Sequence, residues 1–118
     1  MVKTKTKPLM PSLREKKRYL AYEVISKTRF DAVEANNAIF SNAKDFLGNM
    51  GMAKAGILML NDKWNKDAQK GLLRVNNKHV NEVRASFVFL KEVNGKEAVV
   101  KSIGASGILK KVHDRYLK

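Results

Sequence analysis

From Arg18 to Ser26 the residues alternate, with Leu20, Tyr22 and Val24 on one side of an extended segment and Tyr19, Ala21, Glu23 and Ile25 on the other. The period then changes. Ala32, Ala35, Ile39, Ala43 and Phe46 recur at helical spacing, and Val33, Phe40 and Leu47 widen the stripe. A two-residue period needs a sheet, and a 3.6-residue period needs a surface to lie on, so the chain must build a sheet with a helix packed across it. Asp31-Ala-Val-Glu34 marks the switch as a capping box. The Asp accepts from first-turn amides while the Glu reaches back to the cap amide.

The same reading carries through the remainder. Gly48 ends the first helix and Gly48-Asn-Met-Gly51 is expected to be loop. Gly56–Leu60 and Lys70–Asn76 read as a hairpin whose long polar tip holds Trp64. Asn77 is expected to cap a second helix with Val80, Val83, Phe87 and Leu90 on one face, closed by Gly95. Glu97–Ile103 is a fourth strand, and Ile108, Leu109, Val112 and Tyr116 recur as a terminal helix after Gly104-Ala-Ser-Gly107. The order β-α-β-β-α-β-α implies an α+β, ferredoxin-like sandwich shared by RNA-recognition domains: a four-stranded antiparallel sheet with helices on one face, plus the C-terminal helix. That last helix either joins the helical layer or lies across the open face. Residues 13–118 are expected to form one domain. Residues 1–12 form a basic arm whose Lys, Thr and Pro cannot build a core, and the first nine are alternatively an over-called start before Met10.

Charge is concentrated at the two ends. Of the net +13, the first 18 residues carry +6 and the last 18 carry +4, leaving +3 for the 82 between them. Arg14, Lys16, Lys17 and Arg18 run directly into the first strand, and Lys101, Lys110, Lys111, Arg115 and Lys118 repeat the theme. With a pI near 10.1, a polyanion is the expected partner, through release of counterions from phosphates. The absence of cysteine excludes a disulfide scaffold, thiol catalysis and zinc ribbons. No stretch approaches about 18 apolar residues, and the N-terminus lacks the apolar core of a secretory signal, so a cytoplasmic protein without a membrane is expected.

No catalytic constellation emerges. His79 and His113 stand alone, Asp62 and Asp67 flank a turn, and no nucleophile elbow, phosphate loop or dinucleotide fingerprint is present. Neither a catalytic residue nor a metal ligand is assigned. Trp64, beside Lys63 and Lys66, either stacks on a base or folds back over the sheet edge. The third strand reads Gly71-Leu-Leu-Arg-Val75, without the aromatics that an RNA-recognition domain places there. An aliphatic open face suits a protein partner better. The Gly104–Gly107 turn, with Ser106 and then Lys110 and Lys111, is either an anion-binding strand-to-helix turn or a plain one.

Pro11-Ser-Leu-Arg-Glu-Lys-Lys-Arg-Tyr-Leu-Ala-Tyr-Glu-Val-Ile-Ser26, Lys70-Gly-Leu-Leu-Arg-Val-Asn76, His79-Val-Asn-Glu-Val-Arg84 and Ser106-Gly-Ile-Leu-Lys-Lys111 together resemble the small protein subunits of archaeal ribonuclease P known as component 2. Their eukaryotic counterpart is shared by ribonuclease P and its mitochondrial-RNA-processing relative. The resemblance spans residues 11–118, with Ile108 standing where a small hydroxyl residue is expected and a longer basic extension before it. It implies a subunit that supports a catalytic RNA in removing the 5′ leader of precursor tRNA. The magnesium ions would be held by that RNA, and this chain would hold no cofactor. A barrel-fold protein subunit and other ribonuclease P proteins are the implied partners, precursor tRNA is met indirectly, and a homodimer or heterotetramer is left open. On this reading Arg14, Lys16, Lys17, Arg18, Ser106, Gly107, Lys110, Lys111 and Arg115 are the RNA-binding candidates, and Tyr19, Ile57, Met59 and Leu72 form the protein-facing surface. The rivals are another basic ferredoxin-like RNA binder, ribosomal or chaperone, and a small ligand-binding regulatory dimer.

Overall fold

A computed structural model describes residues 16–117. Arg14, the arm over residues 1–12 and Lys118 lie outside the described residues. The elements are β1 (Lys17–Ile25), α1 (Ala32–Ala55), β2 (Leu58–Met59), β3 (Lys70–Asn76), α2 (Val80–Phe87), β4 (Glu92–Val93), β5 (Lys96–Glu97), β6 (Val99–Ser106) and α3 (Leu109–Val112), the last continued by a wider helical turn over His113–Leu117. The main sheet has the order β2-β3-β1-β6 with every neighbouring pair antiparallel, the ferredoxin-like arrangement.

The alternation of β1 sorts its residues as the period requires. Leu20, Tyr22 and Val24 enter one core with Leu73, Val75 and Val100 of the neighbouring strands, covered by Ala35 and Ile39 of α1 and Val83 and Phe87 of α2. Asp31 and Glu34 form the reciprocal capping box at the start of α1. Tyr22 is fully buried in this core, donating to Asn36 Oδ1, whose amide donates on to Asn61. Its ring lies between Trp64 and Phe87, with centroids at 6.4 and 6.0 Å. Trp64 folds back over the sheet edge and donates from Nε1 to the Phe30 carbonyl at 3.3 Å, so the indole does not project from the hairpin tip.

Several boundaries differ from the sequence expectation. The segment from Gly48 to Gly51 is not a loop: Gly48 alone leaves helical geometry (φ 74°), and the helix resumes to Ala55. Buried Ala55 anchors the second part to the core, and Gly56 ends it in the left-handed region with its N–H on the Met52 carbonyl. The strand expected over residues 56–60 shortens to Leu58–Met59. Gly95 does not close α2, which ends at Phe87. Asn94 and Gly95, both with positive φ, instead turn the small β4–β5 hairpin.

The largest correction concerns Gly104-Ala-Ser-Gly107. Gly104, Ala105 and Ser106 pair in β6 with Ala21, Leu20 and Tyr19. A bulge between Ala21 and Tyr22 leaves Ile103 as the extra residue, so Gly104 faces the second side of the sheet. There the terminal helix crosses the face that was otherwise open. Val112 and Leu117 pack on Ala21 and Leu72, with Tyr19, Leu60, Ile103, Leu109 and Tyr116 around them. A side chain at position 104 would collide with the Tyr116 ring, so glycine is required by close approach. Leu72 is therefore fully buried beneath the helix and leaves the surface expected to meet a partner.

Two outcomes follow. Gly104→Ala should overpack the seat of Tyr116 and cost about 1–3 kcal/mol, read as a lowered urea midpoint. An unchanged midpoint would contradict the seating. Burial pushes the Tyr22 phenol well above its ordinary value near 10. The unfolded chain therefore ionises first. The contribution is whole below about pH 10 and falls above it by up to about 1.4 kcal/mol per pH unit. Unfolding at pH 9 to 11 should show a gentler loss of stability in Tyr22→Phe than in the unsubstituted protein.

Candidate nucleic-acid and partner-binding surfaces

The β-register decides which charges meet. Lys17 stands opposite Asn76, and Tyr19 stands between Arg74 of β3 and Ser106 of β6, so the start of β1 lies at the ends of both neighbours. The chain leaves β3 into a 3-10 turn over Asn77–His79 and enters α2 at the same end. The backbone is tied there by Asn77 N–H donating to the Lys16 carbonyl at 2.7 Å. Lys17 Nζ donates to Asn76 Oδ1, and Arg18 Nε donates to Asn77 Oδ1 at 2.8 Å. Asn76 also donates to the Lys54 carbonyl at 2.6 Å, which fastens the last turn of α1 to this corner.

Ser106 and Gly107 arrive beside these residues. A Cβ on Gly107 would lie 3.9 Å from the Lys17 carbonyl. The Ser106 hydroxyl accepts from the Ile108 amide at 3.2 Å, closing the turn into α3, and Ile108 itself is exposed. Lys110 and Lys111 are exposed on the first turn of α3. The start of β1 and the turn from β6 into α3 thus meet at one end of the sheet. Arg115 does not join them as closely. It lies near the far end of the helix, over the Tyr116 ring at 5.9 Å, and the next turn is tied to the hairpin tip by Asn65 donating to the Leu117 carbonyl.

No carboxylate is paired with the cations at this corner among the described residues. The ion pairs there are Arg29–Asp67, His79–Glu82 and His113–Asp114, and none uses Lys16, Lys17, Arg18, Lys110 or Lys111. Lys16, Lys17 and Arg18 are all exposed. Uncompensated charge held by paired backbone attracts a polyanion over about a Debye length, and holds it at fixed spacing once it arrives. Sequence reasoning missed Arg74, Lys78 and Arg84, which lie on or next to the same corner. Lys78 and Arg84 carried the signal of charge near Asn77. That residue was expected to cap α2 but lies in the 3-10 turn before it with its carboxamide on Arg18, and only the register shows that this turn adjoins β1.

The expected protein-facing residues separate. Ile57 and Met59 are half-buried against the main core, Tyr19 is half-buried on the other side of the sheet, and Leu72 is covered. Leu58, between the first two, is the exposed member of β2 and lies opposite Arg74. A separate apolar surface is formed where Phe46 of α1 stacks on Phe89, 5.1 Å between centroids, with both rings substantially exposed. No group of three or more acidic or histidine side chains able to hold a metal occurs among the described residues. None of their helices is long and apolar enough to cross a membrane.

The model of the Rpp14/Pop5 family matches residues 18–117. A protein of Pyrococcus furiosus named ribonuclease P protein component 2 is 36% identical over 111 residues, 94% of this chain and 91% of that protein. Proteins of the same name from Thermococcus kodakarensis and Methanosarcina acetivorans are 34% and 38% identical. They cover 98% and 95% of this chain, and 95% and 82% of their own lengths.

Proposed function

The chain belongs to the Rpp14/Pop5 family, and from that membership we propose that it is a protein subunit of ribonuclease P that binds and supports the catalytic RNA. The observation carrying the proposal is the corner at which Lys16, Lys17 and Arg18 stand beside Ser106 and Gly107, just ahead of Lys110 and Lys111, with none of these cations in an ion pair among the described residues. Arg14 continues the same run in sequence, and Arg115 adds charge farther along the terminal helix.

The chain's role is electrostatic. Folding the RNA brings phosphates together, and each Lys or Arg placed among them replaces a condensed counterion and lowers the magnesium needed. The RNA supplies the magnesium-assisted cleavage of the precursor tRNA 5′ leader, and this chain supplies no reacting group. The chain meets precursor tRNA only through that assembly. A barrel-fold subunit docks on the β2 rim at exposed Leu58, flanked by half-buried Ile57 and Met59. The cytoplasm is the compartment in which such a complex meets its substrate.

Replacing Lys16, Lys17 and Arg18 together by Ala should weaken binding to ribonuclease P RNA in a gel shift. It should also reduce the slope of log affinity against log salt by about 0.7 to 0.9 per lost contact. An unchanged slope would remove the three as contacts. Equal affinity of the unsubstituted chain for ribonuclease P RNA and for unrelated structured RNA of the same length would favour a general RNA chaperone.

A further inference from the structure

A groove separates the start of β1 from the first turns of α2, lined by Arg18, Asn77, Val80, Asn81, Arg84 and Ala105. Asn77, Asn81 and Arg84 stand three to four residues apart around the helix start, so they share one flank. Arg18 faces them from the sheet. Its Nε is spent on Asn77 Oδ1 at 2.8 Å, which orients the guanidinium plane and leaves its terminal N–H groups free of other partners among the described residues. Glu82, the acid of the first turn of α2, is held by His79 at 2.7 Å. No ion pair among the described residues uses Arg84.

We infer that this groove is a phosphodiester-binding site for RNA, with Arg18 and Arg84 as its two walls. The inference rests on the RNA-binding reading above and extends it from the strand onto α2. An arginine fork matches two phosphate oxygens at once, and two forks across one groove fix the path of a backbone as well as its charge. The carboxamides of Asn77 and Asn81 offer the mixed donors and acceptors that ribose hydroxyls and phosphates require. An acidic peptide would share the charge preference for paired arginines, and it is the competitor set against RNA in the test. The apolar part of this groove is confined to Val80 and Ala105.

The test is affinity of the full chain for a single-stranded RNA oligonucleotide across a salt series, comparing the unsubstituted protein with Arg84→Gln, Asn77→Ala and Lys66→Gln. Arg84→Gln should lower the slope by about 0.7. Asn77→Ala keeps the charge but releases the Arg18 guanidinium, so affinity should fall with the slope unchanged. Lys66→Gln removes the same charge at the hairpin tip and should change neither. The inference is overturned if Arg84→Gln leaves the slope intact, or if Arg84→Gln and Lys66→Gln lower it equally. It is also overturned if a polyglutamate peptide of matched charge competes as well as RNA. If the unsubstituted chain shows no salt-dependent RNA binding, the underlying reading fails first, and that result is distinct from an unchanged Arg84→Gln slope.

Discussion

The terminal helix seated on the second face of the sheet is the constraint from which the surface of this protein follows. Val112 and Leu117 cover Ala21 and Leu72, and Tyr116 reaches the backbone of β6 because position 104 is glycine. A four-stranded ferredoxin-like sheet otherwise leaves one face to solvent or to a ligand. Here both faces are packed, which leaves the ends and rim of the sheet as its accessible parts. The absence of aromatic side chains from β3 fits a face that its own chain covers.

The same seating organises the charge. Because α3 starts directly after β6 and β6 ends beside the start of β1, Lys110 and Lys111 come to the same end of the sheet as Lys16, Lys17 and Arg18, whereas Lys101, opposite Glu23, and Arg115 do not. Charges far apart in sequence then sit on paired backbone, with the asparagine contacts of Lys17 and Arg18 limiting their freedom. Like charges so placed repel, and the penalty is tolerable where a polyanion is the intended partner. A cation on a loose arm would lose more conformational entropy on binding than one already fixed in a strand.

Local signals were legible in the sequence and tertiary ones were not. The alternation of β1, the capping box at Asp31 and Glu34 and the bounds of β3 read correctly, since each depends on neighbours a few residues away. The order of the main elements is as expected, except that the β4–β5 hairpin was not expected and the last strand runs over Val99–Ser106 rather than Glu97–Ile103. Gly48 was legible as a break, but the resumption of the helix depends on Ala55 being buried against the sheet. Gly104-Ala-Ser-Gly107 looked like a turn because small residues usually make turns. Its glycine answers instead to Tyr116, a contact that no spacing rule contains. Leu72 looked like surface for a related reason: only the docked helix decides which aliphatic face is covered. At the candidate site, the basic residues were evident from composition, whereas the pairing of Arg18 with Asn77 and its approach to Arg84 required the register.

The central claim is that this chain gives a catalytic RNA cationic support and cleaves nothing alone. It is tested most directly by incubating precursor tRNA with the purified chain, with ribonuclease P RNA, and with both together with the barrel-fold subunit, over a series of magnesium concentrations. The account predicts no 5′-leader removal by the chain alone, and a lower magnesium requirement when the proteins accompany the RNA. Leader removal by the chain in the complete absence of ribonuclease P RNA would contradict it.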